Sequence, residues 1–327
     1  MDCARRLQIT TVILWFVMAL LPEPRHASAQ LAVAEPAAVG PYGVGLVERS
    51  FTRSSSTTSL DRTIEMLIWY PTSRAFQAAQ ASRFGGGLDA PPARDTAPFP
   101  VLLFSHGSGG APWQSTYLTA HLASHGFVVI APSHPGNTGK DCPAACLPVN
   151  EPTRAAFLDS AQNRPGDVIA ALDNVLTLST GGDPVLGELL DGRRVGVLGH
   201  SFGGWTALQV LTRDPRFKAA APMAPGVFAE LLATAEGITT PTLLLAGDLD
   251  RLTRIEQERQ LSAALTVGGG EHWLVVLRGA GHLSFTDLCG RIFGGCGPDD
   301  LTPAEAHAAV TGWITAFMRR HVASDDR

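Results

Sequence analysis

Cysteine, clustered positive charge and long apolar runs are all scarce in this sequence. Charged residues make up 17% of the 327 residues, the formal net charge is −5, and no cluster of lysine and arginine stands out beyond residue 30. A nucleic-acid partner is therefore not expected, because such proteins carry a basic patch. The apolar run Ile9–Leu21 is shorter than the about 20 residues that a membrane-spanning helix needs.

The first 29 residues have the pattern of an export signal. Arg5 and Arg6 precede the run Ile9–Leu21, and Ala27-Ser28-Ala29 places small residues two positions apart, as at a signal-peptidase site. We expect cleavage after Ala29 and localisation in the periplasm or the medium, with no membrane span left. A retained anchor is the alternative.

Residues 30–327 lack internal repeats and long linkers, so we expect one domain with surface excursions at about 72–99 and 135–163.

Four cysteines follow the predicted signal: Cys142, Cys146, Cys289 and Cys296. An even number in an exported chain favours disulfides, and four cysteines allow three connectivities. Proximity in sequence favours pairing Cys142 with Cys146 and Cys289 with Cys296. A four-cysteine zinc site is the alternative, but the CxxC spacing typical of such sites is absent.

Apolar runs typical of buried strands alternate with helix-like segments from about residue 60 onward. Strands without polar alternation are buried on both faces, and a strand–helix alternation favours a mainly parallel sheet flanked by helices. The fold class is therefore α/β. The predicted strands are 44–52, 63–71, 100–107, 126–132, 194–201, 241–248 and 272–279, and the predicted helices are 113–125, 164–178, 201–211, 255–265 and 302–321.

Residues 199–203 spell Gly-His-Ser-Phe-Gly, the Gly-x-Ser-x-Gly pattern of a nucleophilic serine. The pattern by itself also arises by chance in Gly-rich chains. The alternative to a nucleophilic serine is a glycine-rich packing turn without a catalytic role. Here it stands between an apolar strand and a helix-like segment, where a tight turn exposes the hydroxyl and glycines relieve crowding. We therefore expect Ser201 to be a nucleophile.

A serine hydroxyl needs a base and an orienting acid, which in this arrangement follow later strands in the order Ser, acid, His. His282 follows the last predicted strand in a Gly-rich loop, so we expect it to be the base. The preceding strand ends near Asp248 and Asp250. We favour Asp250, because a Gly-x-x-Asp turn from Gly247 can direct its carboxylate toward the histidine; Asp248 is then a turn-capping residue.

The oxyanion formed during attack needs two backbone amides. One is expected from Phe202, directly after the nucleophile, and one from the loop after an early strand. That loop is FSHGSGG, residues 104–110, and we favour the amide of Ser108 as the second donor. The alternative is that this loop is a plain flexible turn with no part in catalysis.

Six segments together resemble bacterial serine hydrolases related to platelet-activating-factor acetylhydrolase and often labelled dienelactone-hydrolase-like. They are IWYPT, LFSHGSGG, NRPGDVIAALD, VLGHSFGGWTAL, LLLAGDLD and GAGHLSFTD. The resemblance covers about residues 40–320 and implies an α/β-hydrolase fold and cleavage of carboxylic esters without a metal or other cofactor. It supports Ser201, Asp250 and His282 as the triad. True dienelactone hydrolases carry a cysteine where this chain has Ser201, which favours acyl esters over lactones.

The sequence also resembles secreted cutinase-like polyester hydrolases, although these usually carry an aromatic residue where this chain has Ser108. We expect an exported serine esterase acting on small-molecule or lipid esters, with short acyl chains favoured. A polyester hydrolase or lipase is the first alternative, and a non-catalytic binding protein on the same fold is the second.

Three aromatic residues lie near the motifs and are expected to line the cleft or to pack in the core: Trp113, Trp205 and Phe285.

Overall fold

A nine-stranded sheet runs through the part of the chain that the computed structural model describes, residues 34–73, 76, 82–142, 146, 150–289 and 300–323. Its strand order is β3-β1-β2-β5-β4-β6-β7-β8-β9. The strands are β1 Gly43–Ser54, β2 Asp61–Thr72, β3 Gly87–Leu88, β4 Phe99–Ser105, β5 Val128–Pro132, β6 Leu190–His200, β7 Phe217–Met223, β8 Thr242–Gly247 and β9 His272–Leu277.

The helices connect these strands and cover both faces of the sheet. They are α1 Ala34–Ala37, α2 Thr116–Ser124, α3 Glu151–Thr180, α4 Phe202–Leu211, α5 Ala229–Ala235, α6 Ile255–Val267 and α7 Pro303–His321, with short 3-10 turns at Arg94–Thr96 and His282–Phe285. Among the described residues, no helix combines the length and the apolar character needed to cross a bilayer.

Strands β4 to β9 are mutually parallel wherever they pair, whereas β2 is antiparallel to both of its neighbours, β1 and β5. Alternate residues of β4 show how the faces are filled, because successive side chains of a strand point to opposite sides. Leu102 packs in one core cluster with Leu118 of α2, while Leu103 packs in another with Val168 and Leu172 of α3. This doubly covered, mainly parallel sheet confirms the predicted α/β-hydrolase fold.

The carboxyl ends of the parallel strands meet at one edge of the sheet, which is where sites form in open α/β sheets. There β4 ends at Ser105, β6 at His200, β8 at Gly247 and β9 at Leu277. The segments that follow these strands carry the predicted catalytic and oxyanion residues: Ser108 after β4, Ser201 and Phe202 after β6, Asp250 after β8 and His282 after β9.

The structure differs from the predicted fold in four details. Helix α3 begins at Glu151, not near 164, because Asn150 and Thr153 form a capping box, and Pro165 lies inside the helix. Strand β7 was not predicted, and β9 is a half-exposed edge strand instead of a buried one. The excursion 72–99 also adds a short edge strand, β3, beside β1.

Cys142 and Cys146 form a disulfide with their Cα atoms 5.0 Å apart, as predicted, which leaves no set of four thiolates for zinc. Cys296 lies outside the described residues, so the pairing of Cys289 with Cys296 stays a prediction. The predicted signal, residues 1–29, lies outside them as well.

Candidate active site

Ser201 occupies a sharp turn between β6 and α4, with φ 56° and ψ −120°. A residue with a side chain rarely adopts a positive φ, and such strain is typical of functional positions. The turn is held in place by the Ser201 amide, which donates to the Met223 carbonyl at 2.9 Å, and by the Ser201 carbonyl, which accepts from Gly226 at 3.0 Å. The turn therefore holds the hydroxyl of Ser201 at the edge of the sheet.

The two glycines of the Gly-x-Ser-x-Gly pattern are required by close backbone approach. A Cβ on Gly199 would collide with the carbonyl of Gly203, and a Cβ on Gly203 would collide with the carbonyl of Ser105. The Ser201 turn thus packs directly against the end of β4. Any larger residue at position 199 or 203 would force the backbone of this turn away from its neighbours.

His282 and Asp250 are in direct contact, with Nδ1 of His282 2.7 Å from Oδ2 of Asp250. An ionised carboxylate can only accept, so Nδ1 carries the proton and Nε2 is the basic nitrogen. His200, the residue before Ser201, contacts His282 of this pair. The Nε2 atom of His200 is 2.8 Å from the carbonyl oxygen of His282, and the two rings are 4.7 Å apart between centroids.

The Asp250 carboxylate is buried and accepts four hydrogen bonds. Oδ1 accepts from the amides of Leu252 and Thr253, and Oδ2 accepts from the Thr253 hydroxyl and from His282. Burial alone would raise the pKa of Asp250, but the hydrogen bonds and charge of His282 and the Thr253 donors outweigh it, so the pKa is lowered. The carboxylate is therefore ionised at neutral pH.

Asp248, the alternative acid, is directed elsewhere. Its Oδ1 accepts from the Gly279 amide at 2.7 Å, which joins the ends of β8 and β9. The structure thus brings Asp250, and not Asp248, to His282.

The loop after β4 lies against the nucleophile turn. A Cβ on Gly107 would sit 3.4 Å from Cβ of Ser201. Within the described part of the chain, neither the Ser108 amide nor the Phe202 amide donates a hydrogen bond. Phe202 is the first residue of α4, where backbone N–H groups have no intrahelical acceptor and carry partial positive charge. Both amides that the sequence predicts as oxyanion donors therefore lack an acceptor within the described part of the protein.

A buried arginine donates hydrogen bonds to the start of this loop and to its neighbours. The Arg164 guanidinium donates to the His106 carbonyl, to Ser105 Oγ at 3.1 Å and to Asn137 Oδ1 at 2.6 Å. Asn137 in turn donates to Ser108 Oγ at 3.2 Å. Burial lowers the pKa of Arg164 to about 9, against the attraction of Asp167, so the side chain is still charged at neutral pH.

The three aromatic residues near the motifs differ in their surroundings. Phe285 is fully buried and Trp205 is nearly so, and both pack in the core. Trp113 is 42% exposed and lies edge-on to Phe84. Phe202, the residue after Ser201, is also buried and stacks on Phe157 of α3 at 4.2 Å between ring centroids.

Known esterases are among the proteins to which this chain is similar. A family model described as PET hydrolase-like matches residues 149–287, and one described as platelet-activating factor acetylhydrolase, isoform II, matches residues 88–145. Platelet-activating factor acetylhydrolase of Cavia porcellus is 26% identical over 318 residues, covering 79% of this chain and 71% of that protein. Cutinase est1 of Thermobifida alba is 30% identical over 180 residues, covering 55% and 52% respectively.

A solved structure has the same fold over nearly the whole chain. The ferulic acid esterase from Streptomyces cinnamoneus superposes with a TM-score of 0.61 at 25% identity, covering 90% of this chain and 95% of that one. The chain belongs to the α/β-hydrolase serine esterase family. The match to the cutinases of this family spans only about half of their length.

Three residues whose hydrogen bonds connect the loops of the site were not predicted from the sequence: Gln114, Asn137 and Arg164. Arg164 and Asp167 stand in the segment NRPGD, and charged residues inside a helix that is otherwise apolar on one face were the available signal. Gln114 lies in a polar loop and carries no such signal. Its contacts depend on residues far away in sequence.

Proposed function

We propose that this protein hydrolyses carboxylic esters through Ser201, His282 and Asp250, with short acyl chains preferred. The observation that carries the proposal is the 2.7 Å contact between Asp250 and His282 beside the strained Ser201 turn. The esterase relatives support the same chemistry.

In the acylation step, Oγ of Ser201 attacks the acyl carbon while Nε2 of His282 takes the hydroxyl proton. Asp250 stabilises the resulting imidazolium through the bond at Nδ1. The negative charge on the former carbonyl oxygen is stabilised by the amides of Phe202 and Ser108. The bond to the alcohol oxygen then breaks, and His282 returns the proton to the leaving alcohol.

Deacylation repeats these steps with water. His282 takes a proton from the water, the hydroxide attacks the acyl carbon, and the same two amides receive the oxyanion. The acid leaves as the acyl–oxygen bond to Ser201 breaks, and the proton goes back to Oγ. The cycle needs no redox partner and no group beyond water.

Two features favour short acyl chains. Cys146 of the disulfide and Thr138 lie against the proposed oxyanion loop, since Ser108 Oγ is 3.4 Å from the carbonyl oxygen of Cys146, and Gly110 and Thr138 form a β-bridge. Phe157 also stacks on Phe202, so the space beside the residue that follows Ser201 is filled by packed rings. The acetylhydrolase relative points the same way.

A second candidate is a polyester hydrolase. It is favoured by the PET hydrolase-like match and by apolar side chains exposed on the loops around the site: Trp113 and, on the acid loop, Leu249 and Leu252. Exposed apolar side chains near a site suit contact with an insoluble substrate.

We further propose that the chain is exported and that its mature form begins at Gln30. The arginines, the apolar run and the small residues before Gln30 support this. N-terminal sequencing of protein recovered from the periplasm and from the medium tests it. Protein found only in the cytoplasm with its first residues intact would contradict it.

The activity is tested with p-nitrophenyl esters from acetate to palmitate and with a polyester film. We expect the highest kcat/KM on acetate or butyrate, and loss of activity in Ser201→Ala but not in Ser59→Ala, which changes an exposed serine. Preference for palmitate or release of soluble products from the film would favour the second candidate. No hydrolysis of any ester would contradict both.

A further inference from the structure

Gln114, which the proposed chemistry does not use, joins two of the catalytic loops with its side chain. Its Oε1 accepts from the Gly107 amide at 2.9 Å, and its Nε2 lies 2.9 Å from Nδ1 of His200. The other nitrogen of His200, Nε2, lies 2.8 Å from the carbonyl of His282. One chain of hydrogen bonds therefore runs from the oxyanion loop, through the nucleophile turn, to the loop of the base.

The direction of every bond in this chain is determined by its two ends. The Gly107 amide can only donate, so the oxygen of Gln114 faces it and the NH₂ group faces His200. Nδ1 of His200 must then accept, which places the ring proton on Nε2. That proton is donated to the His282 carbonyl, which can only accept. One tautomer of neutral His200 satisfies all three bonds.

The surroundings of His200 keep it neutral. The ring is buried, and its centroid lies 4.7 Å from that of His282 and 6.2 Å from that of Phe285; Asp250 is the carboxylate whose charge acts on it. Burial and the charge of His282 lower the pKa of His200 to about 3, while the His282 carbonyl and Asp250 oppose this. A charged His200 would place a proton on Nδ1, facing the NH₂ group of Gln114.

The loop of the base is attached to the same region by its backbone. The Asp287 amide donates to the Gln114 carbonyl at 3.0 Å, and Ser115 Oγ donates to the Phe285 carbonyl at 3.0 Å. These two bonds thus hold the loops near each other, whereas the Gln114 side chain is the part that reaches His200.

We propose that Gln114 is a positioning residue for the proposed ester hydrolysis: it holds His200 as the Nε2–H tautomer and so fixes the Gly107–Ser108 amides and the His282 backbone relative to Ser201. This inference rests on the proposed function. It assigns Gln114 no contact with the substrate.

Gln114→Glu separates this role from simple packing, because the two side chains have nearly the same shape. A glutamate still accepts from Gly107 but cannot donate to His200. Nδ1 of His200 then becomes protonated, either as imidazolium or as the other tautomer. The imidazolium would repel the charge that forms on His282 during catalysis, and the other tautomer would lose the bond to the His282 carbonyl.

The experiment uses the mature protein with Gln114→Glu and Gln114→Met, and with Gln260→Glu and Gln260→Met as matched changes at an exposed glutamine. Nitrogen-15 NMR of the histidine rings at pH 7, with His200→Gln to assign the signal, reports which nitrogen of His200 is protonated. Steady-state kinetics on the best p-nitrophenyl ester report kcat and KM.

We expect an unprotonated Nδ1 in the wild type and a protonated Nδ1 in Gln114→Glu. We expect kcat to fall about 10–100-fold in both Gln114 variants, since small displacements of catalytic groups have effects of this size. KM should change less than about threefold, and the Gln260 variants should match the wild type. Wild-type kcat in Gln114→Glu, or a protonated Nδ1 in the wild type, would overturn the inference.

The proposed function can fail separately. If the wild type hydrolyses no ester and does not react at Ser201, the proposed function is wrong, and the NMR result still decides whether Gln114 sets the tautomer of His200.

Discussion

His282 and Asp250 lie 32 positions apart in sequence, yet Nδ1 and Oδ2 meet at 2.7 Å. The contact forms because β8 and β9 are neighbouring parallel strands whose following loops lie side by side. Thr253 then fixes the carboxylate with both its amide and its hydroxyl. The pair is therefore oriented before any substrate binds.

Asp250→Asn should lower kcat about 10³–10⁴-fold with little change in KM. The amide of asparagine donates where the carboxylate accepted, which favours the wrong tautomer of His282 and removes the charge that stabilises the imidazolium. Kinetics on a p-nitrophenyl ester measure this. Asp248→Asn is the matched control, because an asparagine oxygen can still accept from Gly279. Equal losses in both variants would show that Asp250 has no special role.

Glu258→Gln should make stability less dependent on pH. Burial and then the negative charge of Asp250 raise the pKa of Glu258 well above its ordinary value of 4.5. A raised folded-state pKa contributes stability that is complete below about 4.5 and is lost as pH rises toward the folded value.

Thermal unfolding at pH 5 and at pH 8 tests the role of Glu258. The Tm of Glu258→Gln relative to wild type should be higher at pH 8 than at pH 5. Glu256→Gln, an exposed change on the same helix, should show no such trend. A constant difference between Glu258→Gln and wild type at both pH values would contradict the assignment.

Arg164→Met should lower the free energy of unfolding by about 3 kcal/mol or more, because several buried acceptors lose their donor. These include the His106 carbonyl and Asn137. Urea unfolding at neutral pH measures the effect. Arg154→Met changes an exposed arginine of the same helix and should cost less than about 0.5 kcal/mol. Similar values for both would mean that the buried network contributes little.

Much of the site could be predicted because its residues follow strands that are visible as apolar runs. Asp250 and His282 come directly after two such runs, and Ser201 follows a third. The neighbouring positions of their loops follow from the parallel order of the strands alone. Local sequence and fold class were therefore sufficient to bring Asp250 to His282.

The remaining parts depend on tertiary contacts or on weak local signals. Gln114 gains its role from His200, 86 positions away, so nothing in its own neighbourhood predicts it. Strand β7 has the sequence FKAAAPM, whose alanines and lysine give little strand signal, and it forms because β6 and β8 pair with it on both sides. Pro165 suggested a helix start, but the capping box at Asn150 begins the helix earlier.

Gly203→Ala should destabilise the protein by about 1–3 kcal/mol or more and reduce activity, because the added methyl group meets the Ser105 carbonyl. The strain would separate the nucleophile turn from β4. Thermal unfolding together with ester kinetics measures both effects. Gly237→Ala provides the comparison, since its Cβ would make an ordinary 3.4 Å contact with the Thr234 carbonyl. A stable and fully active Gly203→Ala would contradict the close approach.

The central claim is that Ser201 is a nucleophile activated by His282, and reaction with a fluorophosphonate tests it most directly. The folded mature protein, heat-denatured protein, Ser201→Ala and His282→Ala are treated in parallel, and the adduct is located by peptide mass spectrometry. The account predicts one adduct, on Ser201, formed rapidly in the folded wild type, slowly in His282→Ala, and absent in the other two samples. Absence of an adduct on Ser201 in the folded wild type, or equal labelling after denaturation, would contradict it.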